Sequence, residues 1–309
     1  MSSSKTFMLN VYEQVDSNKR RSAVVMIVFT LFILGVAWVF GEASGYGLSF
    51  VGWALVFSGI MSYGSFYYSD KIILGLSGAR PANRKRDFQF YTVTENLAMA
   101  AHLPKPKLYV IDDSAPNAFA TGRDPQHAVI CATTGLLSKL DRTELEGVIS
   151  HELSHVGNYD IRLMAIVSVL VGLVTLLADW FLRSTFWGGR RSNDRDNNQI
   201  QVIFFAIGMV LALLSPLIAR LIQLTISRRR EFLADASGVK LTRFPDGLAR
   251  ALAKISADKE PLEAANKATA HLYITNPLKN THGSIGMFAG LFNTHPPVKE
   301  RIAALKQMS

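Results

Sequence analysis

Within the stretch "SHELSHVGNYD", Ser150 to Asp160, His151 and His155 stand four residues apart with Glu152 beside the first of them. A helix turns about 100° per residue, so the two imidazoles lie one turn apart on one face, about 40° from each other. Two imidazoles so placed can reach one metal ion. Glu152 falls to the side of the pair, where it need not ligate and can act as base toward a water on the metal. This is the H-E-x-x-H arrangement of zinc hydrolases. Neutral imidazole is a good zinc ligand, and a catalytic zinc keeps one position open. The metal draws the pKa of a water toward neutrality, and a carboxylate takes its proton as it attacks a carbonyl. The competing reading is a polar helix face with solvated histidines. A third ligand and a suitable setting decide between them.

A candidate third ligand lies in "SRRREFLADASG", Ser227 to Gly238. Glu231 and Asp235 are four apart and share a helix face. A His2Glu site takes its glutamate from a second helix, and ligating histidines usually pass their other N–H to a carboxylate. Glu231 fits as ligand and Asp235 as the partner of a histidine. Alone, the two would read as a surface charge pair among arginines. With His151 and His155 they complete a site for one Zn2+ per chain. A structural zinc would want four protein ligands, usually cysteine-rich. Cys131 is the only cysteine, remote from both motifs, so a membrane scaffold with structural zinc is the weaker alternative. The same cysteine count excludes an intrachain disulfide.

The elements that must position these residues are partly readable. Asp141 with Glu144 three residues on forms a capping box and predicts a helix through Glu146, His151 and His155. "FQFYTVTENLAMAAHL" predicts a helix, and "PKLYVIDD" a short strand. "NAFATGRDPQHAVICATTGLL" predicts strand, turn, strand, with Gly122 and Pro125 in the turn.

The 309 residues are 49% hydrophobic and carry a net charge of +9; mean hydropathy is +0.19. The basic residues cluster beside apolar runs, which points to anionic lipid or the flanks of membrane spans, and to no nucleic acid. Four runs are candidate spans. Ser22–Phe40 and Leu48–Tyr68 contain no charge and are long enough to cross a bilayer core. Leu163–Leu182 and Gln201–Ile226 are interrupted by Asp179, Pro216 and Arg220, so a buried or interfacial hairpin stays open beside two true spans. Lys19, Arg20 and Arg21 precede the first run, and Lys71, Arg80, Arg84, Lys85 and Arg86 follow the second. The positive-inside rule then puts the N-terminus and the segment after Tyr68 in the cytoplasm. If His155 and Glu231 bind one ion, the chain between them crosses the membrane twice or not at all.

Four stretches together, "NAFATG" (117–122), "HELSHVGNYD" (151–160), "RRREFLADASG" (228–238) and "THPPVKERI" (294–302), resemble the HtpX family of bacterial membrane zinc metalloproteases, which are of gluzincin type. More distantly, they are similar to the CAAX prenyl proteases. The resemblance implies a mainly α integral membrane protein: a helical zincin-like metalloprotease domain with a small β-sheet, plus about four transmembrane helices. Its divisions would be 1–70, a cytoplasmic tail with two spans; 71–162, the first catalytic part; 163–226, a membrane hairpin; and 227–309, the second catalytic part. By resemblance, His151, His155 and Glu231 are ligands, Glu152 the general base, and Asp235 the carboxylate behind the site. Asn117, Ala118, Phe119, Ala120, Thr121 and Gly122 match a strand that pairs with the substrate backbone. His295 and Arg301 match residues that stabilise the oxyanion, although "THPP" alone reads as a helix start with His295 structural. The family implies quality control of misfolded or damaged membrane proteins at the inner membrane, active site in the cytoplasm, alongside an ATP-dependent membrane protease. A prenyl-protein protease is the alternative with the same machinery.

Overall fold

The first described elements are two long helices, α1 (Val11–Ala43) and α2 (Leu48–Leu76), packed along each other with Thr30 Oγ1 3.5 Å from Ser62 Oγ. The structure, a computed structural model, describes residues 11–43, 48–170, 172, 206, 228–265, 269–277 and 296–308, and within α1 and α2 the side chains at 11–14, 36–37, 39–43, 48–51 and 54 fall outside the description. Among the described residues, no helix is long and apolar enough to cross a membrane. Most of residues 163–226, expected as a membrane hairpin, lies outside the described residues, including nearly all of the third apolar run beyond 170 and nearly all of the fourth. Residues 160–170 are helical, and Ile161, Leu163, Ala165 and Ile166 there are buried.

A small sheet follows, with strands β1 (Arg80–Pro81), β2 (Lys107–Ile111), β3 (Ala118–Thr121) and β4 (Val129–Thr133) in the order β1-β2-β4-β3. β3 and β4 form the expected strand–turn–strand, antiparallel, with Ala118 opposite Ala132 and Thr121 opposite Val129. Gly122 turns the chain at φ +136°, and a Cβ there would lie 2.4 Å from the His127 carbonyl oxygen, so only glycine fits. β2 runs parallel to β4. That pairing skips a strand, so no local pattern announces it.

Helices cover the sheet. α3 (Phe88–Ala100) buries Phe90, Val93, Leu97 and Ala98. Short α4 (Thr134–Lys139) leads to α5 (Arg142–Gly157), the central helix. Its predicted capping box is present: Asp141 Oδ1 accepts from Glu144 N at 2.9 Å, and Glu144 Oε2 accepts from Asp141 N at 2.9 Å. α5 touches α3, α6 (Arg228–Thr242) and α7 (Pro245–Ala257), and α8 (Val298–Lys306) closes over α7 and α6. Leu145, Val148, Ile149, Leu153 and Val156 of α5 are buried. Each contributes roughly 1.5–3 kcal/mol, which offsets the cost of the polar residues the same helix buries.

Close helix approach depends on small residues. A Cβ at Gly147 of α5 would sit 2.6 Å from Leu248 N, and one at Gly238 of α6 would sit 2.9 Å from Ser150 Oγ and 3.2 Å from His151 N. The second contact presses α6 directly onto the turn of α5 that bears the first histidine.

Candidate active site

α5 and α6 meet at three buried side chains. The spacing of His151 and His155 puts both Nε2 atoms on the side facing α6, 3.2 Å apart. Glu231, in the first turn of α6, completes the triangle: Oε2 is 3.7 Å from His151 Nε2 and Oε1 is 3.5 Å from His155 Nε2. These are the three residues among those described whose ligand atoms cluster as a metal site would require. Glu152 is also buried, and its charge is felt at both His155 and Arg301.

The far side of each imidazole is held by a carboxylate. Asp235 Oδ1 is 2.9 Å from His151 Nδ1, as the spacing of Glu231 and Asp235 anticipates. His155 Nδ1 lies 3.0 Å from Asp160 Oδ2. The role of Asp160 is not visible in the sequence. It lies beyond the end of α5, where helix periodicity stops. Tyr159 takes φ +60°, uncommon for a bulky residue, and this turn brings Asp160 back beside the helix.

Arg301 of α8 is fully buried. Its Nε donates to Asp235 Oδ2 at 2.9 Å, Nη2 to Asp235 Oδ1 at 2.6 Å and Nη1 to the Ile274 carbonyl at 3.2 Å. Burial opposes its charge, but Asp235, Glu231 and Glu152 more than restore it. The same bidentate pair works on Asp235: burial raises its pKa, while Arg301 and His151 draw it down to about 2. Its contribution to stability is therefore complete above the ordinary carboxylate range and lost only as pH falls toward about 2.

The donor set fits zinc. Each Nδ1 faces a carboxylate, so in the neutral histidines the N–H sits there and both Nε2 atoms carry lone pairs. Two lone pairs and a carboxylate then converge, and a cation is what such a triangle accommodates. Ligand atoms about 2.0–2.2 Å from a tetrahedral zinc are about 3.4 Å apart, against 3.2, 3.5 and 3.7 Å here.

Comparison with known proteins agrees with this geometry. Residues 84–309 match the family described as Peptidase family M48. The chain belongs to peptidase family M48. This M48 chain is similar to "Protease HtpX homolog" of Caldanaerobacter subterraneus subsp. tengcongensis, 41% identical over 301 residues, covering 97% of the chain and 98% of the relative. It is likewise similar to the protein of that name from Tropheryma whipplei strain TW08/27, 42% identical over 298 residues, 96% and 98% covered. Among solved structures, S. mikatae Ste24p superimposes with a TM-score of 0.51 at 20% identity, covering 95% of this chain and 67% of that one. That likeness is one of fold. The M48 chain is a metalloprotease, mainly helical with a small mixed sheet.

The remaining expected site residues divide. β3 lies at the edge of the sheet, as a substrate-pairing strand would, yet its four residues are buried and Ala118 O already accepts from Ile274 N at 2.9 Å. Asn117 turns its side chain inward, donating to the Thr275 carbonyl at 3.1 Å. Gly122 serves the turn. His295 lies outside the described residues. Arg301, expected to stabilise an oxyanion, donates to Asp235 and Ile274 and also reaches the ligand triangle, with Nη2 3.5 Å from His151 Nε2 and Nη1 3.8 Å from Glu231 Oε2.

The site makes a pH prediction. Burial lowers the pKa of His155, but Asp160, Glu231 and Glu152 outweigh it, and the net result is a rise to about 9. In metal-free M48 protein a proton on His155 thus stands in for the missing cation. Its stabilising contribution is complete below the ordinary histidine range and is lost as pH rises toward about 9. Zinc must displace that proton. Zinc uptake at pH 7 is therefore expected to release about one proton, and apparent affinity to climb up to about tenfold per pH unit until about pH 9. Calorimetry of zinc binding in buffers of different ionisation enthalpy measures both; pH-independent affinity between 7 and 9 would contradict it.

Proposed function

We propose that this M48 metalloprotease is a zinc endopeptidase of the bacterial inner membrane, with its N-terminus and active site in the cytoplasm, cleaving unfolded segments of misfolded or damaged membrane proteins. The observation that carries the reading is the convergence of His151, His155 and Glu231 from two helices, with Glu152 buried beside them. Support for a membrane setting comes from α1 and α2, where Ile27, Leu31, Trp53 and Ile60 are each more than half exposed, a surface too apolar for water alone. Joining His155 to Glu231 at one ion keeps an even number of crossings between them.

Zinc held by His151, His155 and Glu231 would polarise the scissile carbonyl and acidify a water. Glu152 takes the proton of the attacking water and delivers it to the leaving amine. Asp235 and Asp160 hold the two imidazoles in the tautomer that offers Nε2 to the metal. Arg301 holds Asp235 and carries its charge beside His151 and Glu231, where by resemblance it helps stabilise the oxyanion. His295 is the oxyanion donor by resemblance. Along β3, Ala120 presents its backbone groups on the same edge as Ala118, where an extended substrate can add by main-chain bonds independent of its sequence.

The reading is tested in two parts. Detergent-solubilised protein, stripped and refilled with zinc, is expected to cleave unfolded casein, and only when refilled; metal-independent cleavage would end the zinc assignment. Reporter fusions at Asn10, Gly45 and Ser77 are expected to read inside, outside, inside; a cytoplasmic Gly45 overturns the topology.

A further inference from the structure

We infer that Asn18, on the first helix, is a positioning residue of the metal site, locking the carboxylate behind His155 to the arginine beside Glu231. The inference rests on the reading of His151, His155 and Glu231 as zinc ligands.

Asn18 is 1% exposed. Its Nδ2 donates to Asp160 Oδ1 at 2.8 Å and to the Asn158 carbonyl at 2.9 Å, contacts spanning 142 and 140 residues of chain. Its Oδ1 accepts from Arg230 Nη1 at 2.8 Å. Arg230 Nη1 also donates to Asp160 Oδ1 at 2.9 Å. One amide therefore touches the loop after α5 and the first turn of α6 together. Asp160 has both oxygens committed: one to His155, the other to Asn18 and Arg230. Arg230 is the residue before Glu231, so the same contact bears on the approach of the third ligand.

Two neighbouring contacts seat the helix there. Ser22 Oγ donates to the Asn18 carbonyl at 2.9 Å, and Lys19 Nζ stands 4.7 Å from the Tyr159 ring centroid, over the residue in left-handed conformation that delivers Asp160. An amide suits this position for a chemical reason. It offers donors to Asp160 and an acceptor to Arg230 at once, which neither a carboxylate nor an aliphatic side chain can do. Outer partners of this kind orient a ligating histidine, and losing one commonly weakens metal binding 10–100-fold.

The test uses full-length protein in detergent and reads zinc affinity by competition with a chelating dye. Asn18→Asp keeps the shape but sets a carboxylate against Asp160, and is expected to weaken zinc binding about 10–100-fold. Asp160→Asn alone weakens His155 in its own right. In that background Asn18→Asp no longer sets two carboxylates together, although it still faces the Asn158 carbonyl. Its cost to zinc affinity is therefore expected to be smaller there than in the wild type. A packing role would give the same cost in both backgrounds. Unchanged affinity in the single variant, or an equal cost in both backgrounds, overturns the inference. If Asn18→Asp alone does not fold, Asn18→Ala compared in the same two backgrounds decides by the same criterion. Wild-type protein that takes up no zinc would instead sink the metal-site reading, a distinct failure.

Discussion

Glu152→Gln is expected to leave zinc bound while lowering kcat/KM on unfolded casein by about 10²–10⁴-fold, the range a positioned general base supplies. The amide matches the carboxylate in size, so a side chain only 2% exposed is replaced without a cavity. None of the three candidate ligands is touched. What is lost is the ability to take a proton from water. The charge of Glu152 favours a proton on His155, and it favours a divalent ion at the same place as well, so its removal should lower zinc affinity modestly without emptying the site. Metal content after dialysis and steady-state cleavage settle the matter together. Full activity in a variant that retains zinc would remove the general-base assignment.

Glu231→Ala is expected to lose zinc and cleavage together. It deletes one corner of the ligand triangle and leaves two imidazole Nε2 atoms 3.2 Å apart with no anionic ligand. The fall in affinity should be at least about 100-fold, beyond what loss of an outer partner produces. The fold should survive, because Asp235 still pairs with Arg301 and with His151. Circular dichroism and zinc content of the purified variant provide the check. Retention of both zinc and activity would mean that the third ligand lies elsewhere, and the joining of α5 to α6 at one ion would fall with it.

Much of the site was legible because it is written in helix geometry. His151 and His155 share a face by spacing alone, and Glu231 and Asp235 do so in the same way. The capping box at Asp141 and Glu144 could be read without any partner helix, and so could the turn at Gly122. Arg301 marks the limit of resemblance. A motif places it near the site, but only packing shows that it is held by Asp235 and Ile274 while lying against His151 and Glu231. Asp160 was in plain view within the histidine stretch, five residues past His155, and still carried no readable role. Its position depends on the left-handed turn at Tyr159, which no periodicity encodes.

Residue types and short spacings set the chemistry: two imidazoles and a carboxylate for a divalent ion, a second carboxylate for the proton, and apolar runs on either side of basic loops. These follow from side-chain character and from contacts one helical turn apart. Packing settled the rest. It chose which carboxylate stands behind which histidine, paired β2 with β4 across an intervening strand, and brought Asn18 to the metal site across 142 residues of chain. Those contacts depend on how closely whole helices pack, as at Gly147 and Gly238. A packing distance belongs to two segments at once and leaves no mark in either one read alone.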